Sequence, residues 1–222
     1  MHLIEVNNIS KIYNGKRTKV TAIKHMDFHI DDGEFVGIMG QSGSGKSTLL
    51  SIIGGLNKPS DGEVLIDTLD VYGLSSEQRT DLRSEYIGII FQSFQLIPYL
   101  TVDENVKLPM AVAGIKEKKQ KEMADSVIEK VGLSDKKTML PDQLSGGEQE
   151  RVAIARAIVN NPPILLADEP TGNLDSQTSS EIMDLLHDLN KKGQTVIMVT
   201  HNENMLKNAT RIIRVQDGLC VN

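Results

Sequence analysis

The 222-residue sequence holds a single cysteine and no tryptophan. No apolar run approaches the roughly 18 to 20 residues that would cross a bilayer. The lone Cys220 excludes an intramolecular disulfide framework and a cysteine-based zinc site. The opening residues, Met1-His2-Leu3-Ile4-Glu5, lack a basic segment followed by an apolar stretch, so no secretory signal is expected. There is no internal repeat and no low-complexity tract. A basic surplus is also missing. The formal net charge is −6, which argues against a general nucleic-acid binder, and no nucleic-acid partner is expected. Residence in the cytoplasm is the default expectation. What is present is 39% hydrophobic residues at modest net charge, enough for a sizeable core. The length suits one large domain, or a core with a subdomain.

Alternating strand and helix patterns fill most of the chain. Leu3 to Asn7 alternates apolar and polar residues, and Val20 to Ile30 repeats an extended pattern up to the turn signal Asp31-Asp32-Gly33. Glu34 to Met39 reads as a short buried strand, followed by a glycine-rich loop and a helix over Lys46 to Gly54. Gly62 to Val71 reads as a strand pair or edge, and Tyr86 to Phe91 as a buried strand. From Thr101 to Asn160 apolar residues fall at helical spacing, as at Met123, Val127 and Val131, which predicts a helical insertion of roughly sixty residues. Pro163 to Asp168 is an apolar strand ending in an acid. Ser179 to Asn190 is an amphipathic helix, Thr195 to Thr200 a buried strand, and Ile212 to Val221 a hairpin turning at Asp217-Gly218. The expected fold is α/β: a parallel-sheet core with an added N-terminal antiparallel β subdomain and the helical insertion.

Two motifs carry chemistry directly. Gly40-Gln41-Ser42-Gly43-Ser44-Gly45-Lys46-Ser47 fits the phosphate-loop pattern, between a strand and a helix as that loop requires. The glycines let backbone amides approach phosphate closely, and the following helix start faces the anion. Lys46 is expected at the β- and γ-phosphates, Ser47 at Mg²⁺, and Thr48 at the α-phosphate. The second motif, Ile164 to Glu169, delivers two carboxylates at the end of a buried strand, where open α/β sheets bind ligands. Asp168 suits the outer shell of Mg²⁺, and Glu169 suits a general base acting on water. Together they indicate a nucleoside triphosphatase. The Asn-Lys-x-Asp tetrapeptide by which GTPases read guanine is absent.

A third motif, Leu144-Ser145-Gly146-Gly147-Glu148, precedes the helical Gln149 to Ala157. With it the chain resembles the ATP-binding cassette (ABC) ATPases over essentially its full length. The resemblance implies that Ser145, Gly146, Gly147 and Glu148 meet the γ-phosphate held by another copy's phosphate loop, so the ATP-bound state is a homodimer. It further implies that Tyr13 stacks on adenine. Gln92 would contact Mg²⁺ and the attacking water, and His201 the γ-phosphate. Asn173-Leu174-Asp175 would cross the dimer interface. By itself Ser145 would read as an ordinary helix N-cap. His2, His25, His29 and His187 lack such context and are read as structural.

Phe91 to Val106, Leu140 to Gln143 and Ala167 to Asp175, with Gly172-Asn173 as marker, resemble one group of this family. It includes macrolide exporters, lipoprotein-release ATPases, antimicrobial-peptide exporters and the cell-division ABC ATPase. Glu148 departs from the commoner glutamine, a change that group tolerates. The stop at Asn222, with no regulatory C-terminal domain, fits the group too. The implied function is the ATP-hydrolysing subunit of a transporter driving a separate membrane permease. That would place the chain on the inner face of the membrane, exporting or extracting a peptide, lipid, lipoprotein or drug. A cell-division or envelope ATPase transmitting force through a membrane partner is the alternative. Residues 1–92 and 161–222 would form the nucleotide-binding core and 93–160 the helical subdomain. The apolar residues of Phe94 to Leu100 are a candidate permease groove, or simply pack the helical subdomain.

Overall fold

The computed structural model describes residues 2–15 and 18–221. The chain begins with β1 (His2–Asn14), β2 (Lys19–Asp31) and β3 (Phe35–Met39), then α1 (Lys46–Ile53). Next come β4 (Asp61–Ile66), β5 (Leu69–Asp70), α2 (Ser76–Tyr86) and β6 (Ile87–Ile90). Helices α3 (Val102–Val112), α4 (Glu117–Lys130) and α5 (Gly146–Ile158) follow, and then β7 (Ile164–Asp168) and α6 (Ser176–Lys191). The chain closes with β8 (Thr195–Thr200), β9 (Arg211–Gln216) and β10 (Leu219–Val221).

Two sheets result. One is antiparallel in the order β2-β1-β4-β5; the other runs β10-β9-β3-β8-β7-β6, with β9, β3, β8, β7 and β6 parallel. Parallel strands buried on both faces need no polar alternation, and β8 is buried at all six positions. The pleat sorts its residues by face. Ile164 and Leu166, with Val36, Ile38, Ile197 and Val199, pack against α1 and the antiparallel sheet. Leu165 and Ala167, with Phe35, Val196 and Met198, pack against the helices α3 to α6. The nucleotide-type loop therefore lies at the rim of a sheet filled on both sides.

Local signals explain the helix starts. Ser75, Thr101 and Ser145 each cap a helix through a reciprocal box with the residue three further on: Gln78, Glu104 and Glu148. Asp175 caps α6 by accepting from the amides of Gln177 and Thr178. Two elements go beyond the sequence reading. Helix α2 falls in a stretch to which the sequence assigns no element, because only Leu82 of its residues is buried and no apolar stripe marks it. Strand β1 runs on to Asn14. Asn8 takes φ 50, and the register with β2 shifts between Val6 and Ile9, so the alternation breaks while pairing continues.

Candidate functional site

Four adjacent parallel strands, β3, β8, β7 and β6, deliver the predicted residues from their C-terminal ends. The loop after β3 supplies Gln41 to Thr48. Glu169 follows β7, His201 follows β8, and Gln92 follows β6. Gln41, Ser42, Gly43, Gly45, Lys46, Ser47, Thr48, Gln92, Glu169 and His201, with Ala22, line one cleft of about 560 Å³.

The loop's conformation is enforced by contact. A Cβ on Gly40 would stand 2.1 Å from the Val215 carbonyl, and one on Gly45, at φ +105, 2.4 Å from that of Ala22. Only glycine fits either place. Lys46 is buried, and its ammonium donates to the carbonyls of Gly40 at 2.8 Å and Gln41 at 2.9 Å. An ammonium has three protons, so one donor remains for an anion. Ser44 Oγ is buried with no hydrogen-bond partner. It lines the neighbouring hollow with Val215 and Asp217 and not the cleft, so within the cleft the remaining Lys46 proton is the side-chain donor for phosphate oxygens.

The acidic side is equally specific. Ser47 Oγ donates to Asp168 Oδ1 at 3.0 Å. Burial pushes the Asp168 carboxyl above its usual range; Ser47 opposes the shift and the neighbouring charge of Glu169 adds to it. A hard divalent cation between the Ser47 hydroxyl and Asp168 would relieve that cost, and an all-oxygen donor set suits Mg²⁺. Glu169 Oε2 lies 3.4 Å from Gln92 Nε2, which donates to it, and 3.2 Å from His201 Nδ1. Its backbone is held at φ 47 while its amide donates to the Val199 carbonyl at 3.0 Å. A non-glycine residue in that region costs on the order of 1–3 kcal/mol, and such strain clusters at functional sites.

Other predicted residues lie elsewhere. Tyr13 does not line the cleft; its hydroxyl accepts from Asn57 Nδ2 at 2.6 Å. Ser145, Gly146, Gly147 and Glu148 stand at the N-terminus of α5, also outside the cleft lining. Glu148 is committed within the chain: its carboxylate accepts from the Ser145 amide and pairs with Lys136, and both partners lower its pKa. Gly147 lies against α6, where a Cβ would meet Thr178 Cγ2 at 2.3 Å. Within Phe94 to Leu100 the side chains and backbone are tied to the helical part. Leu96 packs on the core, and Asn105, fully buried, binds the Ile97 amide and the carbonyls of Ile97, Leu100 and Thr101. An apolar groove of about 310 Å³ lies between the sheet and the helices, lined by Leu56, Ile89, Leu108 and Val112, with Arg83 and Arg156.

Three positioning contacts escaped the sequence reading, one of them made by a residue, Asn173, that it names for another role. Arg156 donates to the carbonyls of Phe94 at 2.7 Å and Gln95 at 2.6 Å, fixing two residues at positive φ just after Gln92. Asn105 is the second. Asn173 is the third; its Nδ2 donates to the Gln92 carbonyl at 3.0 Å. All three fall inside segments that motif reading singles out, but nothing in a linear pattern says that a side chain will bind a carbonyl many residues away.

Comparison with known proteins agrees with this arrangement. The family model described as ABC transporter matches residues 23–172. An uncharacterized ABC transporter ATP-binding protein of Mycobacterium tuberculosis is 45% identical over 217 residues, covering 97% of this chain and 88% of that one. The macrolide export ATP-binding/permease protein MacB of Aggregatibacter actinomycetemcomitans is 44% identical over 218 residues, 98% of this chain but 34% of MacB. Among solved structures, the dimeric ABC transporter cassette MJ0796, from Methanocaldococcus jannaschii, superposes with a TM-score of 0.92 at 45% identity, covering 99% of this chain and 97% of that one. The same protein has been solved as a dimer in a post-hydrolysis state with ADP and Pi. No helix among the described residues is long and apolar enough to cross a membrane. The chain belongs to the ABC transporter family, as one of its ATP-binding ATPase cassettes.

Proposed function

We propose that this chain works as a homodimer closed around two molecules of MgATP and drives a separate membrane permease, exporting or extracting a peptide, lipid, lipoprotein or drug. One observation carries the dimer. The cleft is lined by the phosphate loop, Gln92, Glu169 and His201, while Ser145 to Gly147 stand outside it with the α5 N-terminus. A helix N-terminus attracts an anion, and here the anion must come from elsewhere. A second copy supplies it, as the dimeric MJ0796 cassette illustrates. The 44% identity to MacB supports an export role.

In this reading Lys46 and the loop amides hold the phosphates. Ser47 and Asp168 would hold a Mg²⁺ ion, which when bound would supply electrostatic stabilisation of the phosphate charge. Glu169 Oε2 takes the proton of the attacking water. Gln92 and His201, both within hydrogen-bonding reach of that oxygen, fix its direction and that of the water. Losing the γ-phosphate removes the group that bridges the copies, so ATP favours the closed state and hydrolysis releases it. The apolar groove at Leu108 and Val112 would seat a short cytoplasmic helix of the permease. MacB, in which ATP-binding and permease parts share one chain, supports that occupant.

Glu169→Gln tests the assignment. General-base catalysis is worth about 10²- to 10⁴-fold, so turnover should fall by that much while ATP binding persists. The variant should elute as a dimer in ATP and as a monomer in ADP. Near-parental hydrolysis would remove Glu169 as the base, and a monomer in ATP would remove the shared site.

A further inference from the structure

Far from the cleft, the start of β1 and the end of β2 bring together three side chains with metal-ligating atoms. His2 pairs directly opposite Asp31 in the antiparallel ladder, and His29 lies two residues before Asp31 on the same strand. One ligand atom from each of His2, His29 and Asp31 lies within 4.8 Å of the other two. His2 Nδ1 is 2.6 Å from Asp31 Oδ1, and the rings of His2 and His29 stack with centroids 3.7 Å apart. None of the three lines the ATP cleft.

We propose that His2, His29 and Asp31 form a surface site for a borderline divalent transition-metal ion such as Zn²⁺, bound through two imidazole nitrogens and one carboxylate oxygen, with water completing the shell. The donor set selects the ion class. Imidazole suits Zn²⁺, Co²⁺, Ni²⁺ and Cu²⁺, whereas Mg²⁺ and Ca²⁺ prefer all-oxygen shells. Ligand atoms about 2.0 to 2.2 Å from a tetrahedral ion stand about 3.3 to 3.5 Å apart. The pair now at 2.6 Å must open by less than about 1 Å, and any pair at the 4.8 Å limit must close by about 1.5 Å. The side chains can do this, because His2 and Asp31 are 42% and 51% exposed and no core residue has to move.

The electrostatics agree. Hydrogen bonding from His2 holds the Asp31 carboxyl below its usual range. The Arg211 guanidinium beside the site is engaged by the His29 carbonyl and Glu34. A bound ion would pin β1, whose Ile4, Val6 and Ile9 are fully buried in the core. It would act on stability and leave the chemistry of the distant cleft alone.

The test uses untagged, nucleotide-free full-length protein in chelator-treated buffer. Titration calorimetry with ZnCl₂ should show one site. Cu²⁺ at one equivalent should give an electron paramagnetic resonance spectrum with nitrogen hyperfine structure, which oxygen ligands at the Mg²⁺ position would not produce. Saturating Zn²⁺ should raise Tm by several degrees, as for any ligand that binds only the folded state. His29→Ala should weaken Zn²⁺ binding at least tenfold and abolish the Tm rise, with its metal-free Tm and MgATP hydrolysis unchanged. Asp31→Asn should weaken binding in the same sense. His25→Ala, at an exposed histidine bonded to Asn8 instead, should bind as the parent does. Binding weaker than about 0.1 mM, a spectrum without nitrogen hyperfine, or unchanged affinity in His29→Ala would overturn the proposal. Its failure leaves the ATPase reading intact, because no readout on which it depends involves ATP.

Discussion

Replacing Glu150 by glutamine is expected to stabilise the protein above about pH 5 and to leave it unchanged below about pH 4. Glu150 sits in the first turns of α5, 1% exposed, and neither of its carboxyl oxygens has a hydrogen-bond partner. Burial pushes its pKa from 4.5 to about 8, with the nearby charge of Arg156 opposing the shift. The folded protein therefore holds this carboxyl neutral at pH 7, while the unfolded chain ionises it. Below pH 4.5 both states are protonated and the group costs nothing extra. As pH rises from 4.5 to 8 the unfolded state alone gives up its proton, so stability falls throughout that window and levels off above it.

Each pH unit inside the window is worth about 1.4 kcal/mol, so the penalty is about 3 kcal/mol at pH 7 and about 5 kcal/mol above pH 8. Glutamine has the same shape and loses no hydrogen bond, since the carboxyl makes none. The variant should thus gain about 3 kcal/mol over the parent at pH 7, about 6 to 12 °C in Tm for a chain of this size. Urea unfolding of both proteins at pH 4, 7 and 8.5, followed by circular dichroism, reads the difference directly. A stability difference independent of pH, or a parent more stable than the variant at pH 8.5, would refute the reasoning.

Lys46→Ala removes a charge-assisted donor worth about 1.5–3 kcal/mol, so ATP affinity should drop roughly 10- to 100-fold by fluorescent-nucleotide titration. Gly147→Ala forces a Cβ to 2.3 Å from Thr178 Cγ2, a side chain anchored through its hydroxyl to Asp175. In a Glu169→Gln background it should keep ATP binding and lose the ATP-dependent dimer on gel filtration. Val112→Asp places a charge at a position 74% exposed, so folding and basal hydrolysis should hold while pull-down of the permease fails.

The alternation of strand and helix was legible because each core strand is a short run with flanking turn signals. The two faces of β7 show why reading further was hard. Ile164 and Leu165 look alike in sequence, yet one meets the antiparallel sheet and the other the helices. Helix α2 left no apolar stripe; its one usable signal was the box of Ser75 and Gln78. Lys46, Ser47 and Glu169 could be picked out from motifs at the ends of core strands, whereas Gln92 and His201 were reached through the family resemblance. Their convergence on one cleft comes from the strand order, in which β6 and β3 flank β7 and β8. The exact groove was not legible, since Leu56, Ile89 and the α3 pair Leu108 and Val112 come from three distant segments.

That groove and the reacting carboxylate share a residue. Arg156 lines the groove, and its guanidinium also holds the Phe94 and Gln95 carbonyls. Those carbonyls follow Gln92 by two and three residues, and Gln92 donates to Glu169. From the other side Asn173 holds the Gln92 carbonyl, and the adjacent Leu174 touches Gly146 at the start of α5. A body pressed into the groove cannot displace Arg156 without moving the strained segment after Gln92, because the hydrogen bonds there run to backbone carbonyls. Movement of Gln92 changes what Glu169 Oε2 faces, and through Asn173 and Leu174 it bears on the helix end offered to a second copy. The proposed permease groove and the cleft are thus joined by a few direct contacts that run through Arg156, Gln92 and Asn173.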